Sequence, residues 1–175
     1  SLFSDLSGYT TIAEQLDPEQ VKELTNQIFD AVREIVNKYE GLIERFAGDG
    51  VLALFGLPMA HEDDAVRAIR AAQEIHDFVG ALRLPYPISI VPRLSMHSGI
   101  NTDLAVTGNM DLDMGTQGVT GNGINVAARL ADLASPGEIL VGPNTYWASR
   151  NRIRFQPMAP TRLKGKTQPI PIYKV

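Results

Sequence analysis

Apolar residues recur along this chain with two periods, and the switches between them predict its elements. Leu2, Phe3 and Leu6 form a short strand with Asp5 near its end; Ser7-Gly8 breaks it, and Thr10 is placed to cap a following helix. Asp17-Pro18-Glu19-Gln20 has the make-up of a helix start, with an Asp cap, Pro in the first turn and Gln three residues past the cap. Val21, Leu24, Ile28, Val32 and Ile35 then recur at helical spacing, with Gly41 just beyond the end. The apolar runs Leu42–Ala47 and Val51–Phe55 flank Asp49-Gly50, which predicts a β-hairpin with Asp49 at its tip.

A second helix is expected from Glu62 to Leu82, with an acidic start and a stripe of Ile69, Ala72, Ile75 and Val79. Three prolines make 83–92 a loop or irregular edge strand. Leu94–Ile100 alternates like a strand, Leu104–Val106 is a short partner strand, and 108–121 is a glycine-rich loop. The pattern continues with a helix over Ile124–Leu133, a strand at Glu138–Val141 and a short helix over Pro143–Arg150. A proline loop at 157–160 and a strand at Ile170–Val175 complete it. Hairpins outnumber βαβ crossovers, so the expected class is α+β with an antiparallel-rich sheet.

Composition narrows the picture. A chain of 175 residues, 44% hydrophobic and 21% charged, reads as one domain over 1–175 with an ample core. No apolar run approaches the roughly 20 residues of a membrane span, and no basic leader reads as a signal peptide. The absence of cysteine excludes disulfides and Cys-ligated zinc and suits a reducing compartment, so a cytoplasmic domain without membrane contact is expected. A net charge of −4 gives no support for nucleic-acid binding, whereas a free nucleotide needs only a few local cations. The chain opens almost inside its first strand, the expectation for a piece of a longer protein.

Two carboxylates carry the candidate chemistry. Asp5 at a strand end, next to a helix start, offers an anionic ligand for a hard cation beside free N–H groups for phosphate. Taken alone, Asp5 reads better as an Asp that simply turns a strand into a loop. Asp49 at a hairpin tip is the second part that a two-metal phosphoryl site requires, with ions roughly 4 Å apart. His61 reads as a cap-region residue, His76 as a surface residue and His97 as lining one face of its strand. Asn125 and Arg129, four apart, share a helix face.

Phe3-Ser-Asp-Leu-Ser-Gly-Tyr-Thr10 and Phe46-Ala-Gly-Asp-Gly50 resemble the two metal-binding motifs of the class III nucleotidyl cyclases, the adenylate and guanylate cyclases. Gly121-Asn-Gly-Ile-Asn-Val-Ala-Ala-Arg-Leu130 is similar to the family's Asn/Arg helix, and Leu163-Lys-Gly-Lys166 to its lysine motif. The four occur in the family's order, and the likeness is greatest to bacterial and soluble adenylyl cyclases.

The resemblance implies a ferredoxin-like βαββαβ core with a C-terminal β-α-β extension. It also implies cyclisation of a nucleoside triphosphate, ATP preferred, by two Mg²⁺ or Mn²⁺ ions. Asp5, Asp49 and the Leu6 carbonyl would hold the ions, and the backbone of Ser7, Gly8, Tyr9 and Thr10 the triphosphate. Asn125 would orient the ribose, Arg129 stabilise the α-phosphate and Lys164 neutralise the outer phosphates. In the family these parts come from two facing domains, so a homodimer with sites at the interface is expected. Two positions depart from the adenylyl pattern, Arg45 in place of Lys and Gly118 in place of Asp or Thr, which leaves base selectivity open. The alternatives are a regulatory module without turnover and another two-metal nucleotidyl enzyme, such as a polymerase palm or a diguanylate cyclase.

Overall fold

A computed structural model describes residues 1–83, 94–104, 122–164 and 168–175. The proline-rich segment beyond Arg83, the expected partner strand from Ala105, the glycine-rich loop with Gly118, and Lys166 lie outside the described residues.

The strand β1 (Leu2–Ser7) buries Leu2, Ser4 and Leu6 on one face and leaves Phe3, Asp5 and Ser7 half-buried on the other. The short helix α1 (Tyr9–Ala13) starts from Gly8 at φ 85°, a conformation that side chains rarely adopt. Thr10 therefore does not cap this helix; it lies within the first turn. In α2 (Pro18–Lys38), Gln20 Oε1 accepts the Asp17 N–H at 3.0 Å, and Leu24, Ile28, Val32, Ile35 and Val36 are buried.

The hairpin pairs β2 (Leu42–Ala47) with β3 (Gly50–Leu54). Its turn is Gly48-Asp49, one residue earlier than the Asp-Gly reading, with Gly48 at φ 64° in the first turn position. Then follow α3 (Asp64–Ala81), β4 (Ser95–Ile100), α4 (Asn122–Leu133) and β5 (Ile139–Val141). The helix α5 (Pro143–Ser149) and strands β6 (Gln156–Thr161) and β7 (Ile170–Lys174) complete the described chain. The proline loop expected at 157–160 is instead part of β6, an exposed edge strand, where missing N–H groups are tolerated.

The sheet runs β2-β3-β1-β4-β5-β7-β6. Its first four strands are antiparallel in the ferredoxin-like order, and α2 and α3 contribute to the main core on one face. Parallel strands β4 and β5 are linked through α4, which packs on the opposite face. There Leu140, Ile172 and Leu163 meet Val126, Leu130 and Ala134, while Leu52 and Leu54 meet Phe3, Leu57 and Ile124. Among the described residues no helix is long and apolar enough to cross a membrane.

One polar chain crosses the main core. Ser98 Oγ lies 2.6 Å from Ser4 Oγ and 2.7 Å from His76 Nε2. His76 is thus no surface residue: it is mostly buried, and loss of water pushes its pKa down to about 4. Neutral at physiological pH, it ties α3 to the two strands that frame the site.

The seat of α4 is set by Gly99. A Cβ there would stand 2.1 Å from the Ala127 carbonyl oxygen and 2.3 Å from the Ala131 nitrogen. Both are backbone atoms, so the helix itself must move. Gly99→Ala should destabilise the fold by about 3 kcal/mol, the upper end of ordinary overpacking. Urea unfolding of the two proteins measures the difference.

Candidate active site

Strand register assembles the site. Asp5 lies opposite Gly50 on one side and His97 on the other, and residues directly opposite in antiparallel strands share a face. One row therefore reads His97, Asp5, Gly50, Ala47, and the next reads Gly99, Phe3, Leu52, Arg45. A Cβ on Gly50 would meet Asp5 Oδ1 at 2.9 Å, so the glycine makes room for the carboxylate. Asp49, the adjoining turn residue, then stands against Asp5. Sequence reasoning assigned Gly50 to the turn; its tight fit to Asp5 needs the β1–β3 register.

The electrostatics record the meeting. The Asp5 carboxyl is held above its usual 3.8, first by partial burial and then by the charge of Asp49; contact between the two carboxyls adds to the rise. His97 opposes it, as does the Leu6 N–H, 3.2 Å from Asp5 Oδ1. Two anionic oxygen donors brought together on an open sheet face fit a hard divalent cation. Among the described residues no group of three or more His, Asp or Glu side chains is placed to hold a metal. Further oxygens would have to come from the backbone or a ligand; Leu6 has its side chain buried in the core, so only its main chain could contribute.

The other expected residues divide. Ser7 Oγ is 2.8 Å from His97 Nδ1, and Tyr9 OH donates to Thr25 Oγ1 at 2.9 Å, which ties that ring to α2. Gly8, Tyr9 and Thr10 begin α1, whose first N–H groups have no acceptor within their own helix. Arg45 shares the face of Asp5, since Phe46 turns the other way and stacks on Phe29 with centroids 4.2 Å apart. Its Nη1 lies 3.0 and 3.1 Å from the two Glu44 carboxylate oxygens. A break in register between Ile43 and Arg45 makes Glu44 an extra residue in β2, and its side chain is only 6% exposed. Such bulges leave no mark in residue periodicity, and Glu44 went unpredicted.

Asn125 and Arg129 are exposed on α4, away from the buried stripe of Val126, Ala127, Leu130 and Ala131. Arg129 Nη1 donates to Asp132 Oδ2 at 2.9 Å. Lys164 is exposed, and Gly118 lies outside the described residues. The structure therefore brings together Asp5, Asp49, Ser7 and the start of α1, while Asn125 and Arg129 face outward on the α4 surface.

The sequence pattern of the adenylate and guanylate cyclase catalytic domain matches residues 1–174. The chain belongs to that family. Adenylate cyclase 1 of Rhizobium meliloti (strain 1021) is 28% identical over 178 residues, covering 100% of this chain. The chain spans only 27% of that relative's length. Among solved structures, the adenylyl cyclase CyaB of P. aeruginosa is similar, with a TM-score of 0.90 and 30% identity over 99% of this chain and 90% of that one. The guanylyl cyclase Cya2 gives 0.80 and 31%, over 99% and 88%. The cyclase domain therefore has solved neighbours named for each base at nearly equal identity.

The crowded carboxyls have a consequence for stability. Because the folded pKa of Asp5 is raised, its contribution is fully present below the unfolded value and is lost as pH rises through the folded value. At pH 7 without metal, Asp5→Asn should therefore raise Tm, and the gain should vanish on acidification toward pH 4. Mn²⁺ should raise Tm of the parent cyclase domain and leave that of the variant almost unchanged. Scanning calorimetry with and without Mn²⁺ checks both signs.

Proposed function

We propose that this domain converts ATP into 3′,5′-cyclic AMP and pyrophosphate, as a homodimer whose sites lie between two copies. The observation that carries the reading is the split arrangement of its parts: Asp5 and Asp49 meet on the open sheet face, while Asn125 and Arg129 point to solvent. A second copy whose α4 faces that sheet would complete each site, and two-fold symmetry would make two of them.

In the reaction the 3′-hydroxyl oxygen bonds to the α-phosphorus, the bond from that phosphorus to the β-phosphate oxygen breaks, and the hydroxyl proton leaves to solvent. Two divalent cations, when bound, acidify the hydroxyl and neutralise the phosphates. Asp5, Asp49 and the Leu6 carbonyl would hold them. The N–H groups at the start of α1 and the Ser7 hydroxyl bind phosphate oxygens. Asn125 of one copy orients the ribose, Arg129 offers its planar fork to the α-phosphate, and Lys164 neutralises the outgoing pyrophosphate. Arg129 gives up its exposed pair with Asp132 to do so, a small loss for a surface ion pair.

The base meets Arg45, which only donates, and Glu44, whose carboxylate only accepts. Adenine offers N1 as acceptor and its amino group as donor; guanine offers O6 as acceptor and N1–H as donor. A donor–acceptor pair matches either base, which supports weak selectivity; the ATP preference rests on the likeness to relatives named as adenylate and adenylyl cyclases. The neighbours named for adenylyl and guanylyl activity at 30% and 31% identity keep GTP as a second reading.

Incubation with ATP or GTP in Mn²⁺, followed by product identification, tests the reaction. Cyclic AMP should dominate, and no cyclic product from either nucleotide would leave a regulatory module as the better reading. Asp5→Asn and Asp49→Asn should each lower turnover by roughly 10²-fold or more, the scale on which losing one transition-state stabiliser acts. Arg45→Lys with Gly118→Asp should raise the ATP-to-GTP ratio of kcat/KM by about 10-fold. An unchanged ratio would remove both residues from the base pocket.

A further inference from the structure

A histidine that the proposed reaction does not use stands in the row of the two carboxylates. His97 on β4 is the cross-strand partner of Asp5, and its Nδ1 lies 2.8 Å from the Ser7 hydroxyl, where β1 ends and the chain turns into α1. Two residues further along β4, on the same face, Gly99 is pressed against the backbone of α4. The imidazole therefore sits between the seat of α4 and the site, on a strand with little freedom to shift.

The hydrogen bond sets what Ser7 can offer. A hydroxyl has one proton and two lone pairs. If Nδ1 accepts, the Ser7 proton is spent on the ring and only lone pairs face the open side. If Nδ1–H donates, the ring occupies a lone pair and the Ser7 proton is free for another acceptor. A phosphate oxygen at the start of α1 is an acceptor only, so a bound triphosphate favours the second arrangement. We propose that His97 is a positioning residue that fixes the Ser7 hydroxyl as a donor to the triphosphate. This rests on the reading of the site as a triphosphate site. His97 acts through Ser7 and touches neither the reacting oxygen nor the α-phosphorus.

The test is a double-mutant cycle on the 175-residue protein with Ser7→Ala, His97→Ala, the double variant and His97→Asn. KM, kcat and the inhibition constant of pyrophosphate are measured in Mn²⁺, and calorimetry gives the pyrophosphate Kd for each protein. Ser7→Ala and His97→Ala should each raise KM, the inhibition constant and Kd by about 10-fold, with kcat changed by less than about 3-fold. The double variant should be no worse than Ser7→Ala alone, because the histidine acts only through that hydroxyl. His97→Asn, whose amide N–H can take the place of Nδ1–H, should recover most of the loss. A histidine that only supports the fold would lower Tm and kcat together, would not be rescued by Asn and would multiply with Ser7→Ala; any of these overturns the proposal. Should the parent protein bind pyrophosphate yet yield no cyclic product, the cyclase reading fails, and the cycle in Kd still decides the role of His97. Should the parent not bind pyrophosphate at all, the proposal falls with the triphosphate site.

Discussion

The contact on which this structure turns is the meeting of Asp5 and Asp49 across a glycine. Like charges repel, and a folded chain that places two carboxyls side by side gives up stability for it. The register Asp5↔Gly50 enforces the meeting: β3 lies beside β1, and the missing Cβ of Gly50 admits the Asp5 oxygen. The polar chain Ser4–Ser98–His76 beneath that strand and the α2–α3 layer hold β1 in place. A cation and a triphosphate are the complements that would turn this local cost into binding.

On the same sheet face as Asp5, the helix α4 follows a different constraint. The helix α4 lies so close to Gly99 that its seat is fixed by backbone contact. Packing at Ala127, Leu130 and Ala131 then decides which way the rest of the helix points, and Asn125 and Arg129 are carried outward. The same packing that builds the core thus leaves two polar side chains exposed to solvent. This geometry favours a shared site over one enclosed within a single chain.

Much of this was legible in the sequence because it follows from period and punctuation. The alternation of β1, the Pro18 and Gln20 start of α2 and the stripe of α3 all announce themselves locally, and the motif order points to the cyclase family. Other features depend on contacts between distant segments. Gly50 reads as a turn residue until β1 is laid beside it. His76 sits at a position compatible with an exposed helix face, yet its ring reaches the buried Ser98 hydroxyl. Glu44 comes next to Arg45 through a bulge that shifts register by one residue, which alternation cannot foresee. Prolines 157 and 160 suggested a loop because strand propensity assumes a central strand, and β6 is an edge.

The central claim is that each site is built from the metal face of one copy and the α4 face of another. Mixing Asp49→Asn protein with Asn125→Ala protein tests it directly, with dimer exchange followed separately. Each protein alone should be nearly inactive. A mixed dimer restores one intact site of two, and half the dimers are mixed at equal concentrations, so activity should rise to roughly a quarter of that of the parent. Activity that never exceeds the sum of the separate proteins, although mixed dimers are present, would contradict the account and place the site within one chain.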